Sequence, residues 1–192
     1  MTIVFIGGSP GVGKTTVAKM LAEKLNAEYV SVAELALNEN IVLGYDEKRA
    51  AYIVDERALR ARFRELSSAK RVVVDSHVAN VVPPEMVEVA VILRLDPREL
   101  EKRLSARGYP RNKVVENVQA EILDVCLIEA VRVFGFDAVF EVDTSGKKPQ
   151  EVLDEILNIL IERRGMKPGS VNWFEKLGEV AYEYLKENYT NT

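Results

Sequence analysis

The chain has 192 residues but only one cysteine and one histidine, and no long apolar run. Cys126 on its own cannot form an internal disulfide, and no Cys/His cluster offers zinc-ligand spacing, so buried packing is the expected role of the thiol. No apolar stretch approaches the roughly 20 residues that a bilayer span needs, so a membrane span is not expected. The opening MTIVFIGG lacks the basic n-region of a signal peptide and runs directly into a glycine loop; a cytoplasmic protein is expected. Basic charge is also short: 26 Lys and Arg against 30 Asp and Glu give a net charge of −4. That balance argues against direct general nucleic-acid binding and suits a basic protein partner better. There is neither an internal repeat nor a low-complexity segment.

What is present is a soluble globular composition, 47% hydrophobic and 29% charged, in a length for which one domain is the default. Thr2 to Ile6 is a β-branched run stopped by Gly7-Gly8. From Lys14, apolar Val17, Met20, Leu21 and Leu25 recur at helical spacing, so the chain opens as strand, loop and helix. Further strands are predicted at Glu28 to Val30, Arg71 to Asp75, Val87 to Leu95 and Ala138 to Val142. Asp55 can cap a helix that puts Leu59, Phe63 and Leu66 on one face. Other helices are predicted over Arg98 to Arg107, Val114 to Phe134, Pro149 to Glu162 and Asn172 to Glu187. Alternating strands and helices imply an α/β fold: a doubly wound parallel sheet of five strands with helices on both faces. Ligands bind such a sheet at the carboxyl ends of its strands.

Gly8 to Thr15 reads GSPGVGKT, a full match to GxxxxGK[ST] between a predicted strand and a predicted helix. The glycines, Gly11 and Gly13 among them, let backbone N–H groups turn toward phosphate oxygens, and the helix adds its positive end. Lys14 is placed to reach the β- and γ-phosphates and the Thr15 hydroxyl to ligate magnesium. The carboxylate that such a site needs near its metal is best supplied by Asp75, after VVV. Two residues on, past the strand end, stands the sole histidine, His77. The guanine-binding pattern NKxD is absent, which favours ATP over GTP. Arg103 and Arg107, four apart, share a helical face and could close over a moving phosphoryl group.

GSPGVGKTT (Gly8 to Thr16), GYDE (Gly44 to Glu47) with VDER (Val54 to Arg57), VVVDSH (Val72 to His77) and RLSARGYPRNKVVENVQAEI (Arg103 to Ile122) together resemble the atypical adenylate kinases. That family includes the coilin-interacting nuclear ATPase and its yeast and archaeal relatives. The resemblance spans about residues 3–149 and implies a P-loop nucleoside-monophosphate-kinase fold over residues 1–165. It places a monophosphate-binding insert at 31–54 and a short lid at 106–116. Residues 166–192 are expected to form an amphipathic helical extension beyond it.

The resemblance further implies transfer of phosphate from ATP to AMP or dAMP, ATP hydrolysis, and a part in small-ribosomal-subunit maturation through a basic platform protein. Carried over by position, Gly11, Gly13, Lys14, Thr15 and Thr16 hold the phosphates, and Arg107 and Lys148 contact ATP. Lys14, Asp75, His77, Arg103 and Arg107 are the implied catalytic set. Thr15 and, through water, Asp75 hold Mg2+.

One position departs from the family pattern: where related sequences carry an arginine for the monophosphate after SVAEL, this chain has Leu37. Arg49 or Arg57 are the candidates to replace it. Two other readings therefore compete with AMP phosphorylation: an ATP-driven assembly factor with little AMP kinase activity, and a kinase of another small metabolite.

Overall fold

The computed structural model describes residues 2–47 and 51–186. In chain order the elements are β1 (Ile3–Gly7), α1 (Lys14–Lys24), β2 (Glu28–Ser31), α2 (Val32–Asn38), β3 (Val42–Asp46), β4 (Ala51–Val54), α3 (Glu56–Ala69) and β5 (Val72–Asp75). They continue with β6 (Val87–Arg94), α4 (Pro97–Ala106), α5 (Arg111–Ile122), α6 (Val125–Phe134), β7 (Val139–Asp143), α7 (Pro149–Glu162), α8 (Trp173–Leu177) and α9 (Glu179–Lys186). Five strands pair in the order β2-β5-β1-β6-β7, all parallel, as the sequence implied.

Each buried strand sends alternate residues to opposite faces, and two apolar layers result. Val4, Ile6, Val73, Val91 and Leu93 meet α1, α4, α5 and α7 on one face. Ile3, Phe5, Val72, Val74 and Ile92 meet α2, α3 and α6 on the other. The Asp55 carboxylate caps α3 as expected, accepting the Arg57 and Ala58 N–H groups at 3.0 Å each.

Two expected helices change in detail, and the 31–54 segment gains elements that the sequence did not mark. The single helix predicted over Val114 to Phe134 is two, because Asp124 takes a left-handed conformation (φ 57) and turns its carboxylate to Arg94. The helix predicted over Asn172 to Glu187 is also two, broken at Gly178 (φ 55); its expected end at Glu187 lies outside the described residues. The insert at 31–54 contains a helix, α2, and an antiparallel hairpin, β3-β4, in which Tyr45 and Tyr52 pair across the strands with ring centroids 5.1 Å apart.

The C-terminal extension is part of the core. Val171, Trp173, Leu177 and Ala181 are buried in the same apolar layer as α1 and α5, and Gln119 donates to the Tyr184 carbonyl at 2.8 Å. Truncating a buried Trp or Leu alone costs about 2–5 kcal/mol, against a total stability of roughly 5–15 kcal/mol for a domain. A chain ending at Met166 is therefore expected to melt at least ~10 °C lower than the full chain. A truncated protein with an unchanged melting temperature would instead mark the segment as a docking helix for a partner.

Candidate active site

β1 is the central strand, and the chain leaves its carboxyl end into GSPGVGKT. Gly8 has φ 131, and a side chain there would put its Cβ 2.4 Å from the Leu93 carbonyl, so only glycine lets the loop pass this close to β6. Gly13, also left-handed (φ 109), is the residue from which α1 starts at Lys14. The register pairs Ile6 with Asp75, which brings the end of β5 beside the start of the loop.

There the Thr15 hydroxyl donates to Asp75 Oδ2 at 2.6 Å, and the Tyr29 hydroxyl reaches the same oxygen at 3.2 Å. Burial and the Asp75 charge push the Tyr29 phenol up to about 12, so it stays a donor. A hydroxyl and a carboxylate, both hard oxygen donors held together at the cavity wall, fit a magnesium ion that keeps most of its own waters. Among the described residues no cluster of three or more His, Cys, Asp or Glu forms an all-protein metal cage.

Thr15 and Asp75 open into one cavity of about 520 Å³. Its floor is Pro10, Gly11, Lys14, Thr15 and Asp75. One wall is Ser31, Val32, Ala33, Ala36 and Leu37 with Tyr52 and Val54 of the hairpin. Another wall is Ser76, His77, Val78 and Val81, and Arg107 and Tyr109 complete the lining at the rim. Lys14 Nζ donates to the Ser9 carbonyl at 3.0 Å, and burial holds its ammonium below the ordinary lysine range against the opposing pull of Asp75. His77 keeps contact with solvent in the cavity. Even so, surrounding protein and then the Lys14 charge hold its imidazole below the usual histidine value, with Asp75 pulling the other way.

Residues 4–124 match the AAA_18 family, described as an AAA domain. The chain belongs to that family. Archaeal proteins carrying the name "Putative adenylate kinase" are similar to it over nearly their whole length. The one from Thermococcus onnurineus is 44% identical over 95% of this chain and 97% of its own. Those from Pyrococcus furiosus and Methanocaldococcus jannaschii are 39% and 34% identical, again over at least 95% of each chain. Among solved structures, shikimate kinase from Acinetobacter baumannii aligns with TM-score 0.62 at 17% identity, over 85% of this chain and 95% of that one. Thymidylate kinase from Candida albicans aligns with TM-score 0.54 at 16% identity, over 86% and 96%. At that identity both likenesses speak for the P-loop kinase fold alone.

In this AAA_18 chain the cavity brings together Gly11, Lys14, Thr15, Asp75, His77 and Arg107. Gly13, Thr16, Arg103 and Lys148 do not line it. Thr16 is an exposed residue of the first turn of α1. Arg103 lies under the rim, its guanidinium 3.5 Å from the Gly11 carbonyl and paired with Glu99 at 2.6 Å. Lys148 is exposed at the start of α7, its backbone N–H donating to Glu151 at 2.7 Å. Leu37 lines the cavity as well. Among the described residues the cations of the lining are Lys14 and Arg107. Arg57 is exposed in the first turn of α3 and off the lining, and Arg49 lies outside the described residues.

Sequence reading passed over Tyr29, Tyr109 and Glu129, whose carboxylate accepts the Ala79 and Asn80 N–H groups and so holds the loop after His77. It also gave no role to Glu121, although a signal existed. Val114, Val118 and Glu121 follow helical spacing, so a carboxylate sits on an apolar face. Cys126, expected to be buried, is half-buried, with its thiol 3.7 Å from the His77 carbonyl and pushed up to about 11 by burial.

Proposed function

We propose that this protein transfers the γ-phosphoryl group of ATP to AMP or dAMP, hydrolyses ATP when the acceptor is missing, and acts in maturation of the small ribosomal subunit. The observation that carries the transfer reading is the single cavity that joins the phosphate loop and the Thr15–Asp75 pair to the wall of the insert. On this reading donor and acceptor meet within that cavity. The names of the archaeal relatives support an adenylate acceptor.

In the transfer, an acceptor phosphate oxygen bonds to the γ-phosphorus as the bond to the β–γ bridging oxygen breaks, and ADP leaves with that electron pair. No covalent enzyme intermediate is needed, so the protein acts by position and charge. Lys14 carries the β- and γ-phosphate charge, and Arg107 closes over the equatorial oxygens from the rim, with Arg103 behind it. Thr15 and, through water, Asp75 would hold a magnesium ion arriving with ATP, which would supply further positive charge to the phosphate oxygens.

A second reading is favoured by Leu37. A leucine where the resemblance to the atypical adenylate kinases implies an arginine would lower AMP affinity, and ATP hydrolysis coupled to partner binding would tolerate that loss. The net charge of −4 suits a basic ribosomal partner. A comparison of acceptors at saturating ATP (AMP, dAMP and small hydroxyl metabolites) tests the first reading, which expects a phosphorylated acceptor with the adenylates alone and only phosphate release with the others. Leu37→Arg is expected to lower the KM for AMP by about 10- to 100-fold, the worth of a charge-assisted hydrogen bond to phosphate. An unchanged KM would remove Leu37 from the acceptor phosphate's surroundings.

A further inference from the structure

Behind the phosphate loop lies a polar network that the transfer mechanism leaves unused. Ser9, the second residue of GSPGVGKT, is 1% exposed, and its hydroxyl donates to Glu121 Oε2 at 2.7 Å. Its carbonyl is the one that receives Lys14 Nζ. Glu121, 2% exposed, accepts through its other oxygen from Arg94 Nε at 2.8 Å, the Leu95 N–H at 3.3 Å and the indole N–H of Trp173 at 3.0 Å. Arg94 also bonds Glu141, whose second oxygen takes the Ser170 and Val171 N–H groups at 2.8 and 3.3 Å. Two buried carboxylates thus have both oxygens occupied, and three of their donors come from residues 170–173, beyond the segment that matches the family.

Buried ion pairs of this kind contribute little net stability compared with apolar residues of the same volume. What they do supply is a fixed direction, because a carboxylate with four donors has one orientation that satisfies all of them. We propose that Glu121 is a positioning residue of the phosphate loop, held by Arg94 and Trp173 and acting through Ser9. The C-terminal segment is on this view a working part of the nucleotide site. The Ser9 backbone, pinned on its side-chain end, sets both the curve of the loop and the carbonyl on which Lys14 rests. The inference depends on the nucleotide reading of the loop.

Trp173 is the only tryptophan in the chain, so its emission reports on the network directly. The test uses the full chain and two variants that each delete one hydrogen bond while keeping most of the volume, Ser9→Ala and Trp173→Phe. ATP affinity with magnesium is measured by calorimetry, alongside melting temperature and, where Trp173 remains, fluorescence titration. In the wild type, the emission is expected to change with the same Kd that calorimetry gives. Ser9→Ala is expected to weaken ATP about 10-fold, as loss of one hydrogen bond to a charged group implies, and to uncouple the emission from binding. Trp173→Phe is expected to weaken ATP by about 3- to 10-fold, with the folded fraction intact at the assay temperature. A lower melting temperature with wild-type ATP affinity in both variants would reduce the network to a structural role and overturn the inference. Calorimetric silence of the wild type would instead overturn the nucleotide reading, and this inference with it.

Discussion

Lys14→Ala is expected to abolish phosphoryl transfer and ATP hydrolysis together, with turnover falling at least ~10³-fold in each. The two reactions differ in their acceptor but share the departing charge on the β–γ bridge and the spread of charge over the γ-oxygens. Lys14 is the cation at the floor of the cavity, withdrawn from water enough to lower its pKa, and a charge in such a place acts on phosphate far more strongly than one in solvent. Its replacement removes a poorly solvated ammonium, so the melting temperature of the nucleotide-free protein is not expected to fall. That separates lost chemistry from lost folding. Steady-state rates of ADP and phosphate release, measured beside thermal denaturation, check both parts. Near-normal turnover in either reaction would remove the phosphate-loop assignment.

His77→Ala is expected to divide the two activities. The imidazole stands in the cavity wall two residues past Asp75, and the Glu129 carboxylate fastens the loop that follows it. A neutral imidazole can accept a hydrogen bond from water and turn an oxygen lone pair toward the γ-phosphorus. Hydrolysis is expected to drop by about 10²- to 10⁴-fold at matched ATP saturation, the usual worth of a positioned general acid or base, with ATP affinity kept. Transfer to AMP is expected to suffer less, because the acceptor is delivered by its own pocket and no water has to be oriented. Equal losses in the two reactions would assign His77 a shared, metal-organising or structural role. Unchanged hydrolysis would rule out water positioning.

Much of this architecture was legible because its signals are local. A β-branched run, a glycine loop and a helical period of apolar residues fall within the first 25 positions, and the parallel sheet follows from their repetition. Asp75 and His77 could be placed at the sheet edge because VVV marks the strand that ends beside them. The hairpin of the insert was not legible: Val42–Asp46 and Ala51–Val54 are short, and Leu43, Tyr45, Tyr52 and Ile53 are exposed, so no buried alternation marks them. The break at Asp124 was hidden for a different reason. A left-handed aspartate stabilised by a distant Arg94 leaves no local trace, since the partner lies 30 positions away. Arg94 and Glu141, charged residues within largely apolar strands, were visible in isolation, but only the fold pairs them and sets Arg94 against Trp173. The likeness of Arg103 and Arg107 as neighbours on a helix face was sound in spacing. The fold separates their surroundings, one lining the cavity and the other bound to Glu99.

The central claim, transfer to an adenylate, is tested most directly by following the label from γ-³²P ATP in the presence of millimolar AMP and magnesium. Transfer predicts that the label appears in ADP made from AMP, that two ADP form for each ATP consumed, and that phosphate release is the slower background. Label found in inorganic phosphate alone, released at the same rate with and without AMP, would contradict it.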